Sequence, residues 1–101
     1  MHNVTPAHVG LTDEQRHFKQ LLDTYPLLAS YWYFDQRECD LPAITQDIEL
    51  MSCDEQIMLR FFVAIWFGKN RLNFDLIEAT RTLNDGYLDD IRQWLNRPLF
   101  P

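Results

Sequence analysis

A chain of 101 residues that is 47% hydrophobic and 14% aromatic has enough apolar material for one buried core, which excludes global disorder, and too little length for two. Its two cysteines, Cys39 and Cys53, exclude a disulfide-stapled scaffold, and its longest apolar run, residues 57–67, is interrupted by Arg60 and falls far short of the roughly 20 residues of a membrane span. The formal charge of −6 resides between Asp35 and Glu55, where seven acids (Asp35, Glu38, Asp40, Asp47, Glu49, Asp54, Glu55) face only Arg37, a field that disfavours direct nucleic-acid or membrane contact and favours a basic protein partner.

Residues 1–10 hold Pro6 and Gly10 without apolar periodicity or a basic segment ahead of an apolar run. They are expected to form a flexible arm rather than a secretory signal, and with reduced thiols this points to the cytoplasm. Thr12-Asp-Glu-Gln15 fits a capping box, so a helix is predicted from about residue 13, with Phe18, Leu21, Leu22 and Tyr25 on one stripe. Pro26 forces a kink or restart. Over Leu28 to Phe34 the favoured expectation is continued helix leading into a loop, with a small two-stranded ribbon over residues 31–42 as the alternative. Pro42 suits the first turn of a short helix ending before Ser52.

Ser52-Cys-Asp-Glu55 is a second capping box, and Ile57 to Phe67 is apolar almost all round, which predicts a helix surrounded by others and ended by Gly68. Two further helices follow. The first spans about Phe74 to Leu83, with Phe74, Leu76, Ile77, Ala79 and Leu83 inward; the second is capped by Asn84 or Asp85, carries Tyr87, Leu88, Ile91, Trp94 and Leu95, and ends at Pro98. Leu99 and Phe100 are expected to fold back onto the body or into a partner. Together these elements predict an all-α fold: a single-domain orthogonal bundle of about five helices over residues 11–101 around a buried central helix at about 53–68.

No catalytic residue emerges. Cys53 at a helix N-terminus has no histidine nearby in sequence and is expected to be structural, while the acids beside Cys39 would raise its pKa. His2, His8 and His17 have no metal-ligand spacing, the segment from Asp35 lacks the oxygen ligands and glycine of a calcium loop, and no phosphate-cradling glycine motif is present. No cofactor or metal is therefore expected. Asp89 and Asp90 diverge around a helix and are expected to form a solvated face. The aromatic run Tyr31, Trp32, Tyr33 and Phe34, beside Asp35, Glu38 and Asp40, is the best candidate for partner binding, although core packing is the commoner fate of such a run.

The combination Met58 to Asn70, Phe74 to Leu83 and Ile91 to Pro101 resembles small uncharacterised proteins carried by bacteria and their mobile elements. The resemblance implies a bacterial origin and an accessory role and assigns no site residue. The function expected is that of a non-enzymatic helical protein acting through protein–protein interaction, with a basic partner or a second copy of itself. Two alternatives stay open: a small-ligand binder or enzyme with a pocket between helices, and an acidic nucleic-acid mimic that blocks a DNA-binding protein.

Overall fold

Thr12 and Ser52 start two helices by the same device. In the computed structural model, which describes residues 10–101, Thr12 Oγ1 accepts from the Gln15 backbone N–H at 3.0 Å and the Thr12 N–H donates back to Gln15 Oε1 at 3.0 Å, opening α1 (Asp13–Leu22). The reciprocal pair between Ser52 and Glu55, at 3.2 and 3.0 Å, opens α4 (Cys53–Phe67). Each pair satisfies two backbone donors that a helix start otherwise leaves orphaned. At the other end of α4, Gly68 takes φ 64°, a left-handed conformation that costs glycine nothing.

Between α1 and α4 the chain departs from the favoured expectation. Pro26 opens a four-residue helix, α2 (Pro26–Ala29), which stops at Ser30. Beyond Ala29 the chain does not continue as helix: β1 (Trp32–Tyr33) pairs antiparallel with β2 (Glu38–Cys39), in register Trp32↔Cys39 and Tyr33↔Glu38, which is the ribbon held as the alternative. The connecting turn is closed by N–H groups of Gln36 and Arg37 donating to Tyr33 and Phe34 carbonyls, with Arg37 left-handed at φ 55°. Arg37 also donates to the Gly10 carbonyl, tying the turn to the start of the described chain. Such a short ribbon is marginal alone and persists because its inner side chains pack on the helices.

α3 (Leu41–Asp47) follows, capped by Asp40 and running into a 3₁₀ turn over Ile48–Leu50; after α4 come α5 (Leu76–Thr82) and α6 (Asp85–Asn96), capped by Asp75 and Asn84. The fold is mostly helical, with six helices and one ribbon among the described residues in place of an all-α set of five. The arm expected over residues 1–10 lies, but for Gly10, outside the described residues.

α4 is apolar all round because it serves two sides at once. Neighbouring helical residues diverge by about 100°, so Phe62 and Phe61 face different aromatic clusters. Phe62 meets Phe18 edge-on at 5.8 Å, and Phe18 in turn touches Trp32, Phe34 and Trp66 at 5.7, 6.2 and 5.3 Å between centroids. Phe61 meets Phe74 at 5.4 Å and Trp94 at 5.7 Å, and Trp94 meets Phe100 at 5.5 Å. Leu59, Phe62 and Val63 are fully buried within the single hydrophobic cluster that joins these groups. Removing a ring such as Phe62 would cost about 3–5 kcal/mol.

Candidate functional site

The aromatic run proposed from sequence as a docking surface is split by the ribbon. Strand alternation sends Trp32 and Phe34 inward, 5% and 7% exposed against Phe18 and Trp66, and leaves Tyr33 outward at 45%. Trp32 and Phe34 therefore offer no surface to a partner. Tyr31 is half-buried, its hydroxyl donating to Asp47 at 2.7 Å, and that bond is the main reason its pKa is pushed up to about 12. Asp40 is committed to the N-cap of α3, accepting from Ala43 N–H at 3.1 Å, whereas Asp35 and Glu38 are exposed. Part of the acidic segment thus has local structural duties; the side chains of Asp35, Glu38, Glu49 and Asp54 make no hydrogen bond or ion pair among the described residues.

The structure assembles a different group of residues where α2, the first turn of α4 and the first turns of α6 meet. A half-open cleft of about 220 Å³ has Leu28 and Met58 in its lining as buried floor, Pro26 and exposed Leu27 as one wall, and Tyr25, Tyr87, Asp54 and Glu55 around it. A shallower hollow lined by Asn84, Gly86 and Asp90 shares Thr24, Tyr25 and Tyr87 with it, so the two adjoin at those side chains and are together termed the Tyr25–Tyr87 trough. Among the described residues no lysine, arginine or histidine lines either part.

Each side chain is placed by local chemistry. The N–H groups of Thr24 and Tyr25 donate to Leu21 and Leu22 carbonyls at 3.2 and 2.8 Å, turning the chain sharply after α1. Tyr25 precedes Pro26, which bars it from helical geometry, and it sits at φ −123°, ψ 74° as the cap of α2. Its ring lies 5.3 Å from Phe62 and 5.8 Å from Tyr87, tilted 33° to the latter, and its hydroxyl donates to Asp90 Oδ2. Burial first, and then the Asp90 carboxylate, push the Tyr25 phenol well above its ordinary pKa, so it stays a donor at neutral pH. Tyr87 and Asp90, three residues apart on α6, share a face. Asp54 and Glu55 complement the positive end of α4, Glu55 being held by the capping box.

Sequence periodicity signalled Tyr25 and Tyr87 only as core stripes and Asp90 only as a solvated acid. The trough pairs groups 65 residues apart, and no local spacing announces it.

Toward the C-terminal end of α4, Phe61, Ala64, Ile65, Phe74, Leu76, Ile91, Trp94, Leu95 and Phe100 line a mostly apolar groove of about 240 Å³, with Lys69 and Asn70 at its edge. Leu99 and Phe100 fold back as expected: the Trp94 indole N–H donates to the Leu99 carbonyl at 2.9 Å, and Phe100 stacks edge-on against Trp94 while remaining 59% exposed. Leu76 and Ile77, expected on the inner side of their helix, are instead 42% and 66% exposed, because α5 is only seven residues long and packs through Ala79, with Leu83 buried just beyond its end.

Cys53 is free and exposed at the start of α4 and lines neither hollow of the trough. Cys39 is free and half-buried, its thiol pushed up to about 12 by burial first and by Asp40 second. His17 is exposed on α1; His2 and His8 lie outside the described residues. Arg60 is half-buried, within reach of Gln56 at 3.4 Å and Glu78 at 3.9 Å, and Arg71 stacks on Phe67 at 4.7 Å. Among the described residues no group of three His, Cys, Asp or Glu side chains could hold a metal ion, and no helix is long and apolar enough to cross a membrane. Compared with known proteins, the chain matches no family model, no curated protein and no solved structure.

Proposed function

We propose that this protein is a non-enzymatic interaction module that receives a basic segment of a partner protein in the Tyr25–Tyr87 trough. The observation that carries the proposal is the composition of the trough: two tyrosine rings, an apolar floor and three carboxylates, with no cationic side chain among the described residues lining it. Like charges gathered without a counter-ion repel one another, and a bound cation relieves that repulsion. Ring faces attract the same cation by about 0.5–2 kcal/mol, depending on how far it is desolvated. The net charge of −6 adds long-range attraction for a basic partner.

The test is fluorescence anisotropy with a labelled 15-residue peptide that alternates basic and small polar residues, against a peptide of the same length with acidic residues. The basic peptide binds wild type with an affinity that falls as salt is raised. Tyr87→Ala weakens it by about 3- to 30-fold, the factor equivalent to losing one cation–ring contact, and Asp54→Asn, which removes the charge of a half-buried side chain that makes no hydrogen bond among the described residues, weakens it as well. Equal binding of the acidic peptide, or unchanged binding by both variants, overturns the proposal. If a single capped residue binds as tightly as the whole peptide, the trough is a small-ligand site.

A further inference from the structure

We infer that the side chain admitted by the Tyr25–Tyr87 trough is arginine, its guanidinium paired with Asp54 and laid against Tyr87. The inference rests on the trough being the binding site proposed above and adds what that site selects.

Two features of the trough separate arginine from lysine, and a third separates a long cationic side chain from a small cation. The first is the state of the carboxylates. Glu55 is held by the Ser52 N–H at 3.0 Å, and one oxygen of Asp90 accepts from Tyr25, but neither oxygen of Asp54 has a partner among the described residues. A carboxylate with both oxygens uncommitted matches the planar two-pronged fork of a guanidinium in two parallel hydrogen bonds, whereas an ammonium presents a point charge without that fork.

The second feature is the ring surface. Tyr87 lines both hollows and stays part-exposed, and Tyr25, whose ring lies 5.8 Å from it, is fixed by Phe62 at 5.3 Å and by the hydroxyl bond to Asp90. A guanidinium stacks flat on such a ring and sheds its weak hydration readily; an ammonium is more strongly hydrated and loses more on entering. The third is the apolar lining. Leu27 is 71% exposed beside Pro26 above a floor of Leu28 and Met58, a surface suited to the aliphatic stem of a long side chain whose charged end reaches the carboxylates. A floor and wall of this kind would be idle beside a free metal ion or a short cation.

The deciding experiment titrates N-acetyl amides of arginine, lysine, citrulline and norleucine into full-length protein with labelled tyrosine rings, followed by NMR. Arginine amide is expected to shift the Tyr25 and Tyr87 resonances with millimolar affinity. Lysine amide should bind weaker by a factor on the order of five, as lost stacking and the lost second hydrogen bond imply. Citrulline, which keeps the shape without the charge, and norleucine should leave the rings unmoved. Asp54→Asn should bring arginine down to the level of lysine, and Tyr87→Leu, which keeps apolar bulk, should abolish the preference. Equal binding of lysine and arginine would overturn the arginine assignment and leave the trough a general cation site. Absence of any ring shift, while the basic peptide still binds, would overturn the trough itself.

Discussion

Replacing Tyr25 by Phe removes one hydroxyl and leaves the ring contacts with Phe62 and Tyr87 at 5.3 and 5.8 Å in place. What is lost is the hydrogen bond to Asp90, which ties the cap of α2 to α6 across 65 residues. Hydrogen bonds to charged groups contribute about 1.5–3 kcal/mol, and because Tyr25 and Asp90 are both part-exposed, water replaces some of that for the abandoned carboxylate. A loss of about 1.5 kcal/mol is expected, or a fall in Tm of roughly 6–10 °C for a domain of this size. Urea titration followed by tryptophan fluorescence measures it at pH 7. The pH dependence supplies a second, independent check. The folded-state pKa of Tyr25 is raised, so its contribution is fully present below the unfolded value of about 10 and is lost as pH rises above it. The gap between wild type and Tyr25→Phe should therefore be constant from pH 7 to about 9 and close progressively above about 10; Tyr31 and Cys39 titrate in both proteins and cancel. A variant within about 0.3 kcal/mol of wild type at pH 7, or a gap that does not close in alkali, would refute the assignment of that bond to folding stability.

Trp32 and Tyr33 are adjacent in sequence and opposite in consequence. Trp32→Ala should cost about 3 kcal/mol, at the low end for a buried ring because the lost side chain also carries an indole N–H with no acceptor among the described residues, while Tyr33→Ala should stay within about 0.5 kcal/mol; thermal unfolding of the two variants decides it. Brief iodoacetamide treatment at pH 8, read by intact-mass spectrometry, should add one group to the folded protein at exposed Cys53 and two in urea, because the half-buried Cys39 thiol, pushed up to about 12, holds its proton. Double labelling of the folded chain would show that the ribbon opens readily.

The helix starts were legible because they are local. Thr12 with Gln15 and Ser52 with Glu55 each settle their own hydrogen bonds within one turn, Gly68 supplies the left-handed residue that ends α4, and Pro26 stops one helix and opens the next. The central position of α4 was legible too, since a segment apolar on every side is stable only when neighbours cover every side. The ribbon was less so. Two residues pairing with two others across a turn have little preference of their own, and Trp32 and Phe34 are buried only because Phe18 and Trp66, distant in sequence, stand where the inner face of the strand points.

The same distinction governs the candidate site. Sequence placed the acidic segment and the aromatic run side by side and suggested that they act together, yet Asp40 and Asp47 serve the neighbouring backbone and Tyr31, and two of the four aromatic side chains enter the core. The charge, the capped starts of α1 and α4 and the apolar hub were determined by the sequence itself, because each depends on composition or on residues within a turn or two of one another. That Tyr25, Asp54, Tyr87 and Asp90 line one trough was decided only by the tertiary structure, because two separate segments, the corner before α2 and the start of α6, must pack on α4 before their side chains meet.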